Sequence, residues 1–183
     1  MNSPDGIDTA AVLGSGVMGH GIALAFALDG HPVALYDVNE DLLAESEDRV
    51  RSVLDTLVSA GEVDADEADA AADRIPRTTS LPDAVDGADF VTEAVVEDLD
   101  IKREVFANLD DHAEADAILA TNTSGLSITE IAAATDRPEQ VVGTHWFNPP
   151  YVVPLVEVIR GEETADEVVE TTYDFFDEMG KTP

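Results

Sequence analysis

The sequence predicts an α/β fold: a doubly wound, mostly parallel sheet with a helical hairpin inserted after its second strand. Three observations predict it. Short apolar runs alternate with longer amphipathic stretches, the pattern of successive βαβ units. The first apolar run ends in a glycine-rich turn, Gly14-Ser15-Gly16-Val17-Met18-Gly19, which opens a helix. The second run ends in an acid, Asp37. Strand, glycine turn, helix, strand and acid in that order is the Rossmann-like plan.

The elements follow in order. Residues 9–13 form the first strand and 17–28 the first helix, which Gly30 stops. Residues 32–36 are the second strand. Asn39 then caps a long helix to about residue 60, and 64–74 is its partner in the hairpin (about 39–74). This pair is polar over most of its surface, so it is expected to project from the sheet. A short strand is expected at 77–80 and a stronger one at 90–95. A helix at about 99–112, a strand at 117–120 and a short helix near 128–134 come next. The last strands are 141–146 and 155–159, and the last helix is 165–179.

Composition bounds the function. With 183 residues, 44% of them hydrophobic, the chain is one domain long and buries a core. Its 40 Asp and Glu against 9 Lys and Arg give a net charge of −31, spread over every predicted helix and loop. Such self-repulsion opposes a compact fold in dilute buffer, where the Debye length is roughly 10 Å, and largely vanishes at molar salt, where it is about 3 Å. A halophilic setting is therefore expected. Nucleic acid and anionic membranes are excluded as partners, because both need a basic face. With no cysteine there is neither a disulfide framework nor a thiolate metal site, and no metal is expected. Residues 1–6 lack the basic start and apolar stretch of a signal peptide. The longest apolar run, 22–28, is too short to span a bilayer, so a cytoplasmic protein is expected.

The glycine turn has a mechanism. Gly14 makes the tight turn, Gly16 lets the backbone approach a pyrophosphate, and Gly19 lets helix and strand pack closely. The helix start at Val17 and Met18 offers free N–H groups and the positive end of a dipole. Asp37, 18 residues after Gly19, suits the ribose hydroxyls. No Lys or Arg lies in 37–41, and Glu40 and Asp41 would repel a 2′-phosphate, so the expected cofactor is NAD.

Reactive residues fall at the carboxyl ends of other strands, where ligands of such sheets lie. Glu97 follows the 90–95 strand, Asn122 and Ser124 follow the 117–120 strand, and His145 closes the 141–146 strand. A histidine in an apolar strand is by default a core residue. Glu157 stands 12 residues later on the next strand. If the two strands pair, its carboxylate orients the imidazole and stabilises its cation, as a general base requires. Spacing alone leaves open a Glu157 that merely faces solvent on an edge strand.

These residues together resemble a known family. Val95-Val96-Glu97-Asp98, Thr121-Asn122-Thr123-Ser124, His145-Trp146-Phe147-Asn148-Pro149 and Leu155-Val156-Glu157-Val158-Ile159, with the glycine turn, are similar to the N-terminal domain of L-3-hydroxyacyl-CoA dehydrogenases, from about Thr9 to Pro183. The resemblance implies NAD-dependent oxidation of (S)-3-hydroxyacyl-CoA to 3-oxoacyl-CoA, as in fatty-acid β-oxidation or 3-hydroxybutyryl-CoA metabolism. It implies His145 as general base and Glu157 as its orienting partner. Ser124 would bond the substrate oxygen, Asn148 would shape the nicotinamide side, and Glu97 and Lys102 would stand beside the cofactor. Lys102 is one of only two lysines, and its alternative is a solvated helix residue paired with acids.

Three departures qualify the carry-over. Gly125 stands where the family usually has a second serine. The 39–74 hairpin, often basic where it meets CoA, carries only Arg49, Arg51 and Arg74, so CoA contacts do not transfer. In the family, the stretch around Gly180 leads to a helical domain that dimerises and supplies a further Asn and one cleft wall. That domain is absent from these 183 residues. The expectation is a part of a longer, homodimeric protein that binds NADH but turns over acyl-CoA poorly alone. Alternatives are a gulonate- or carnitine-type dehydrogenase, suggested by 148–151 and 154–157, and a non-catalytic NAD-binding module. His145-Trp146-Phe147 favours the acyl-CoA enzymes.

Overall fold

The computed structural model describes residues 6–183. Its elements are β1 Ala10–Leu13, α1 Val17–Asp29, β2 Val33–Tyr36, α2 Glu40–Ala60, α3 Ala65–Asp73, β3 Arg77–Thr78, α4 Leu81–Val85, β4 Phe90–Glu93, α5 Leu99–His112, β5 Ile118–Thr121, α6 Ile128–Ala132, β6 Val141–Trp146, β7 Val156–Arg160 and α7 Asp166–Glu178. A 3-10 turn, Pro138–Gln140, precedes β6.

One sheet of order β3-β2-β1-β4-β5-β6-β7 runs through the molecule, parallel except for the antiparallel β6–β7 pair. The chain winds outward from β1 in one direction through β2 and β3. It then returns to the other side of β1 with β4, β5 and β6. The reversal lies between β1 and β4, and connections leaving two neighbouring strands in opposite directions open a crevice at their carboxyl ends. Everything functional described below sits in or beside it.

Strand alternation sorts the core into two layers. Ala10, Val12 and Phe90 face a cluster with Phe26, Trp146, Phe175 and Phe176, while Ala11, Leu13 and Val91 face Phe106, Leu109 and Ile131. The first layer holds α1, whose residues 19–27 are all buried. A helix apolar on every side needs cover on every side, and the α2–α3 hairpin supplies it. Leu43, Val50 and Leu54 of α2 and Ala68 and Ala71 of α3 join the same cluster. The expectation of a projecting hairpin is thus corrected: its narrow apolar stripe is enough to seat it along α1. Asn39 caps α2 as expected, its side chain accepting from the N–H groups of Asp41 at 2.9 Å and Leu42 at 3.3 Å.

Two further differences have local causes. Helix α4, unexpected from sequence, is one turn long, too short to show a period; Ser80 caps it with Pro82 in its first turn. Strand β4 stops at Glu93 rather than at residue 95, because the Glu93 carboxylate accepts the Val95 N–H at 2.7 Å and turns the chain. Among the described residues Asp37 and Glu93 are the only buried acids, so the large negative charge is a surface property.

The glycine turn is packed to its limit at two positions and open at a third. A Cβ on Gly19 would lie 1.6 Å from the Gly14 carbonyl oxygen, and one on Gly14, at φ 95°, would lie 2.7 Å from that of Ala94; at Gly16 nothing lies within 4 Å. Gly19→Ala is therefore expected to cost about 3 kcal/mol or more in denaturant unfolding, the upper end of overpacking penalties. Gly16→Ala is expected to cost no more than about 1 kcal/mol as a helix-cap change. Equal losses in the two variants would contradict this packing.

Candidate active site

The crevice at the β1–β4 reversal is a cavity of about 740 Å³, within the roughly 300–1,000 Å³ of small-molecule sites. Its floor is the turn after β1 and the start of α1 (Gly14, Gly16, Val17, Met18). One wall is the end of β2 (Asp37, Val38), and the other is the 94–97 turn with Asn122 and Ser124. Val17, Val38 and Val96 stand on it 63%, 80% and 62% exposed, an apolar rim of the kind a ligand covers.

At the floor, α1 begins without any side-chain cap or first-turn acid. Its first N–H groups have no carboxylate competing for them, and the helix dipole favours an anion there. His20, one turn in, is bonded through Nδ1 to the Gly16 carbonyl at 2.6 Å. Burial lowers its pKa, and Arg49 acts in the same direction against the opposing Gly16 bond. Asp37 is buried and braces the turn: Oδ2 accepts from Ser15 N–H and Oγ, each at 2.8 Å, and Oδ1 from Asn39 N–H at 3.0 Å. Gly16, whose missing Cβ would meet nothing among the described residues, is a place kept clear for a ligand. The residues present therefore fit the pyrophosphate and ribose of a dinucleotide.

Under the opposite wall lies an ion pair. Lys102 and Glu93 are both fully buried, with Nζ 2.7 Å from Oε1 and 2.9 Å from Oε2. Nζ also donates to the Asn122 carbonyl at 3.1 Å and lies 3.7 Å from Glu97 Oε2, while Thr121 Oγ1 donates to Glu93 Oε2 at 2.7 Å. Burial pushes the Glu93 carboxyl up, against the opposing pull of Lys102, Thr121 and the Val95 N–H. Lys102 is thus no solvated helix residue. It lies beneath the cavity, not on its wall, and reaches the site through Glu97 and Asn122. Glu93 was missed from sequence; the signal was an acid inside an otherwise apolar run, nine residues before a lysine.

Glu97 stands on the wall and reaches across it. Oε1 accepts from Thr123 Oγ1 at 2.5 Å and from the Ser124 N–H at 3.0 Å. Partial burial alone would raise its pKa. The bonds from Thr123 and Ser124, with Lys102 and the Gly125 N–H, outweigh that and hold the carboxyl below its ordinary value.

Ser124 in turn meets the His145–Glu157 pair. Its Oγ is 3.2 Å from His145 Nε2, and His145 Nδ1 is 2.8 Å from Glu157 Oε2. The β6–β7 register sets His145 directly opposite Glu157, so the condition left open by sequence is met. With Glu157 ionised, Nδ1 carries the ring proton and the Nε2 lone pair faces Ser124. Asn122 Oδ1 accepts from the Trp146 N–H at 3.1 Å, tying the β5 loop to the end of β6. Asn148 is exposed where the chain leaves β6. The histidine side chain keeps 19% exposure and Glu157 52%, so this side of the site is open.

A parallel sheet with a glycine turn at its reversal, an acid on the second strand and a Ser–His–Glu line at the cavity's end defines a dinucleotide-binding dehydrogenase domain. Residues 9–183 match the family described as 3-hydroxyacyl-CoA dehydrogenase, NAD binding domain, and the chain belongs to it. It is 41% identical over 177 residues to the 3-hydroxyadipyl-CoA dehydrogenase of Escherichia coli, covering 97% of this chain and 37% of that one. The same identity and coverage hold against a fatty acid oxidation complex subunit alpha of Pseudomonas putida, of which the match spans 25%. Among solved structures, a 3-hydroxybutyryl-CoA dehydrogenase of Escherichia coli and FadB2 of Mycobacterium tuberculosis each superpose with a TM-score of 0.94 at 40% identity. Each match covers 97% of this chain, and 38% and 63% of theirs respectively. The chain thus spans between a quarter and two fifths of the length of these curated relatives. Its cofactor is NAD. Among the described residues no helix is long and apolar enough to cross a membrane.

Two outcomes follow for the buried network. Lys102→Met is expected to cost about 3–5 kcal/mol in denaturant unfolding, since it strands a buried carboxylate, and Glu93→Gln combined with it is expected to recover much of that; no recovery would mean the pair is not the source of the loss. For Glu97, a folded pKa below the ordinary 4.5 adds stability that is present above pH 4.5 and lost as pH falls through the folded value. The stability gap between the wild type and Glu97→Gln should accordingly be wide at pH 7 and narrow at pH 3.

Proposed function

We propose that this chain is the cofactor-binding and acid–base half of an NAD-dependent 3-hydroxyacyl-CoA dehydrogenase, interconverting (S)-3-hydroxyacyl-CoA and 3-oxoacyl-CoA. The observation that carries the proposal is the hydrogen-bonded line Ser124–His145–Glu157 at the open end of the cavity, 3.2 Å and 2.8 Å between successive groups. NAD, when bound, accepts the hydride that leaves the alcohol carbon. The amides at Gly16, Val17, Met18 and Gly19 would hold its pyrophosphate, Asp37 a ribose, and Glu97 and Asn122 the nicotinamide side.

The rest of the chemistry belongs to the chain's own residues. Loss of hydride from a carbinol carbon makes its hydroxyl acidic, so a base must take the proton in the same event. His145 Nε2 has the free lone pair to do so. Glu157 holds the imidazole in the required tautomer and offsets its positive charge once protonated. Ser124 Oγ, already within reach of Nε2, donates to the substrate oxygen. Glu97 fixes Ser124 by its backbone N–H, and Asn148 shapes the wall next to the base.

The exposure of Ser124 and Glu157 supports a cleft with one wall contributed from outside residues 6–183, by a second domain of the parent protein that also dimerises it. Two relatives are named as acting on 3-hydroxyadipyl-CoA and 3-hydroxybutyryl-CoA. That agreement supports a CoA thioester over a free hydroxy acid.

The test is steady-state oxidation of (S)-3-hydroxybutyryl-CoA by the full-length protein at molar KCl. His145→Gln is expected to lower kcat by about 10²–10⁴-fold, as for loss of a general base, with NADH affinity unchanged in a fluorescence titration. Glu157→Gln should lose less. Activity on gulonate or carnitine without activity on the CoA ester would overturn the assignment.

A further inference from the structure

The chain has two lysines against 40 acidic residues; Lys102 is buried and Lys181 half-buried. Lys102 donates to a backbone carbonyl of the loop after β5, which carries Ser124. Lys181 does the same for the loop after β6. Its Nζ donates to the Pro150 carbonyl at 2.6 Å, lies 3.4 Å from that of Val153, and stands 5.3 Å from the centre of the Trp146 ring. That loop, 147–155, lies between His145 and Glu157 and carries Asn148.

The local sequence builds this contact. Gly180, at φ 71°, ends the α7 stretch, and the Lys181 N–H closes back onto the Phe176 carbonyl at 2.9 Å. The residue after a left-handed glycine is thereby thrown toward β6. Thr182 then exchanges two backbone bonds with the loop's end, donating to Pro154 at 2.9 Å and accepting from Val156 at 3.2 Å. On the other side Pro150 lies against α1, where a Cβ on Gly21 would come 2.9 Å from Pro150 Cδ. Among the described residues the Trp146 indole N–H has no hydrogen-bond partner, and the ring is held by packing and by the ammonium. Burial lowers the Lys181 pKa, with Asp29 opposing. A half-buried ammonium gives up part of its water, and the Pro150 and Val153 carbonyls replace it.

We propose that Lys181 is a positioning residue of the active site, whose ammonium fastens the Pro150 and Val153 carbonyls and so fixes the loop that joins His145 to Glu157 and carries Asn148. Its effect on turnover rests on the function proposed above; the clamp itself does not. Trp146 is the sole tryptophan of these 183 residues and borders the ammonium, so the difference in emission between wild type and a Lys181 variant reads the contact.

In the full-length protein, Lys181→Met is expected to change Trp146 emission and to speed hydrogen exchange of the Val152 and Val153 amides, both of which bond the Pro149 carbonyl. It should lower kcat about 10-fold through a displaced catalytic group, with KM for NAD within about two-fold because the Lys181 ammonium bonds the Pro150 and Val153 carbonyls and not the glycine turn. Lys181→Arg should restore part of the lost kcat. Unchanged emission and exchange would overturn the clamp. A lower melting temperature with unchanged kcat would overturn the positioning role. A wild type inactive on acyl-CoA would overturn the proposed function and leave the clamp to be decided by emission and exchange. Should Lys181→Met not fold, Lys181→Gln, which keeps a donor and loses the charge, is read by the same measurements.

Discussion

A carboxylate and an ammonium with no exposed surface meet where β4, β5 and α5 converge, and the geometry of the site descends from that meeting. Burying two charges costs several kcal/mol each unless every bond they lose to water is replaced. Here the replacements come from Thr121, the Val95 N–H and the Asn122 carbonyl, so satisfying the pair also sets how both strands end. Glu97 then reaches the Ser124 backbone, Ser124 reaches His145, and Glu157 closes the line. A network of this kind tolerates few geometries, because any broken bond leaves a charge in a low dielectric. Through Glu97 the Ser124–His145–Glu157 line is tied to that network.

The second constraint is charge. A domain of −31 must still admit an anionic cofactor. The surface acids stay away from the one place where this matters. Helix α1 starts with no carboxylate in its first turn, whereas α2 starts with Glu40 and Asp41. The bare N–H groups and dipole end give a local attraction acting over a few ångströms. Repulsion from more distant acids falls off within a Debye length and shrinks as salt rises. Both lysines are used where a single donor organises several acceptors.

The fold was legible because its periodicities are local. The alternation of short apolar runs with amphipathic stretches set the strand and helix order. Asn39 and Gly30 are caps that act on their own neighbours. What failed to show was what depends on partners far along the chain. Helix α4 is too short to carry a period. The hairpin's seat along α1 follows from the all-round burial of α1, not from the hairpin's own polarity. The early end of β4 comes from a side chain whose chief partner, Lys102, lies on the following helix.

The same division runs through the site. Gly14, Gly16, Gly19 and Asp37 follow from a turn whose steric needs are written in successive residues, so the sequence alone determined a dinucleotide cleft and its NAD preference. His145 and Glu157 were nameable, but 12 residues of spacing could not say whether they meet. The antiparallel pairing of β6 and β7 decided that, by setting the two residues opposite each other. Glu93 and Lys181 were decided by tertiary structure alone. Their roles come from which carbonyls and charges surround them once water is excluded, and burial is a property of the folded whole that no stretch of sequence carries by itself.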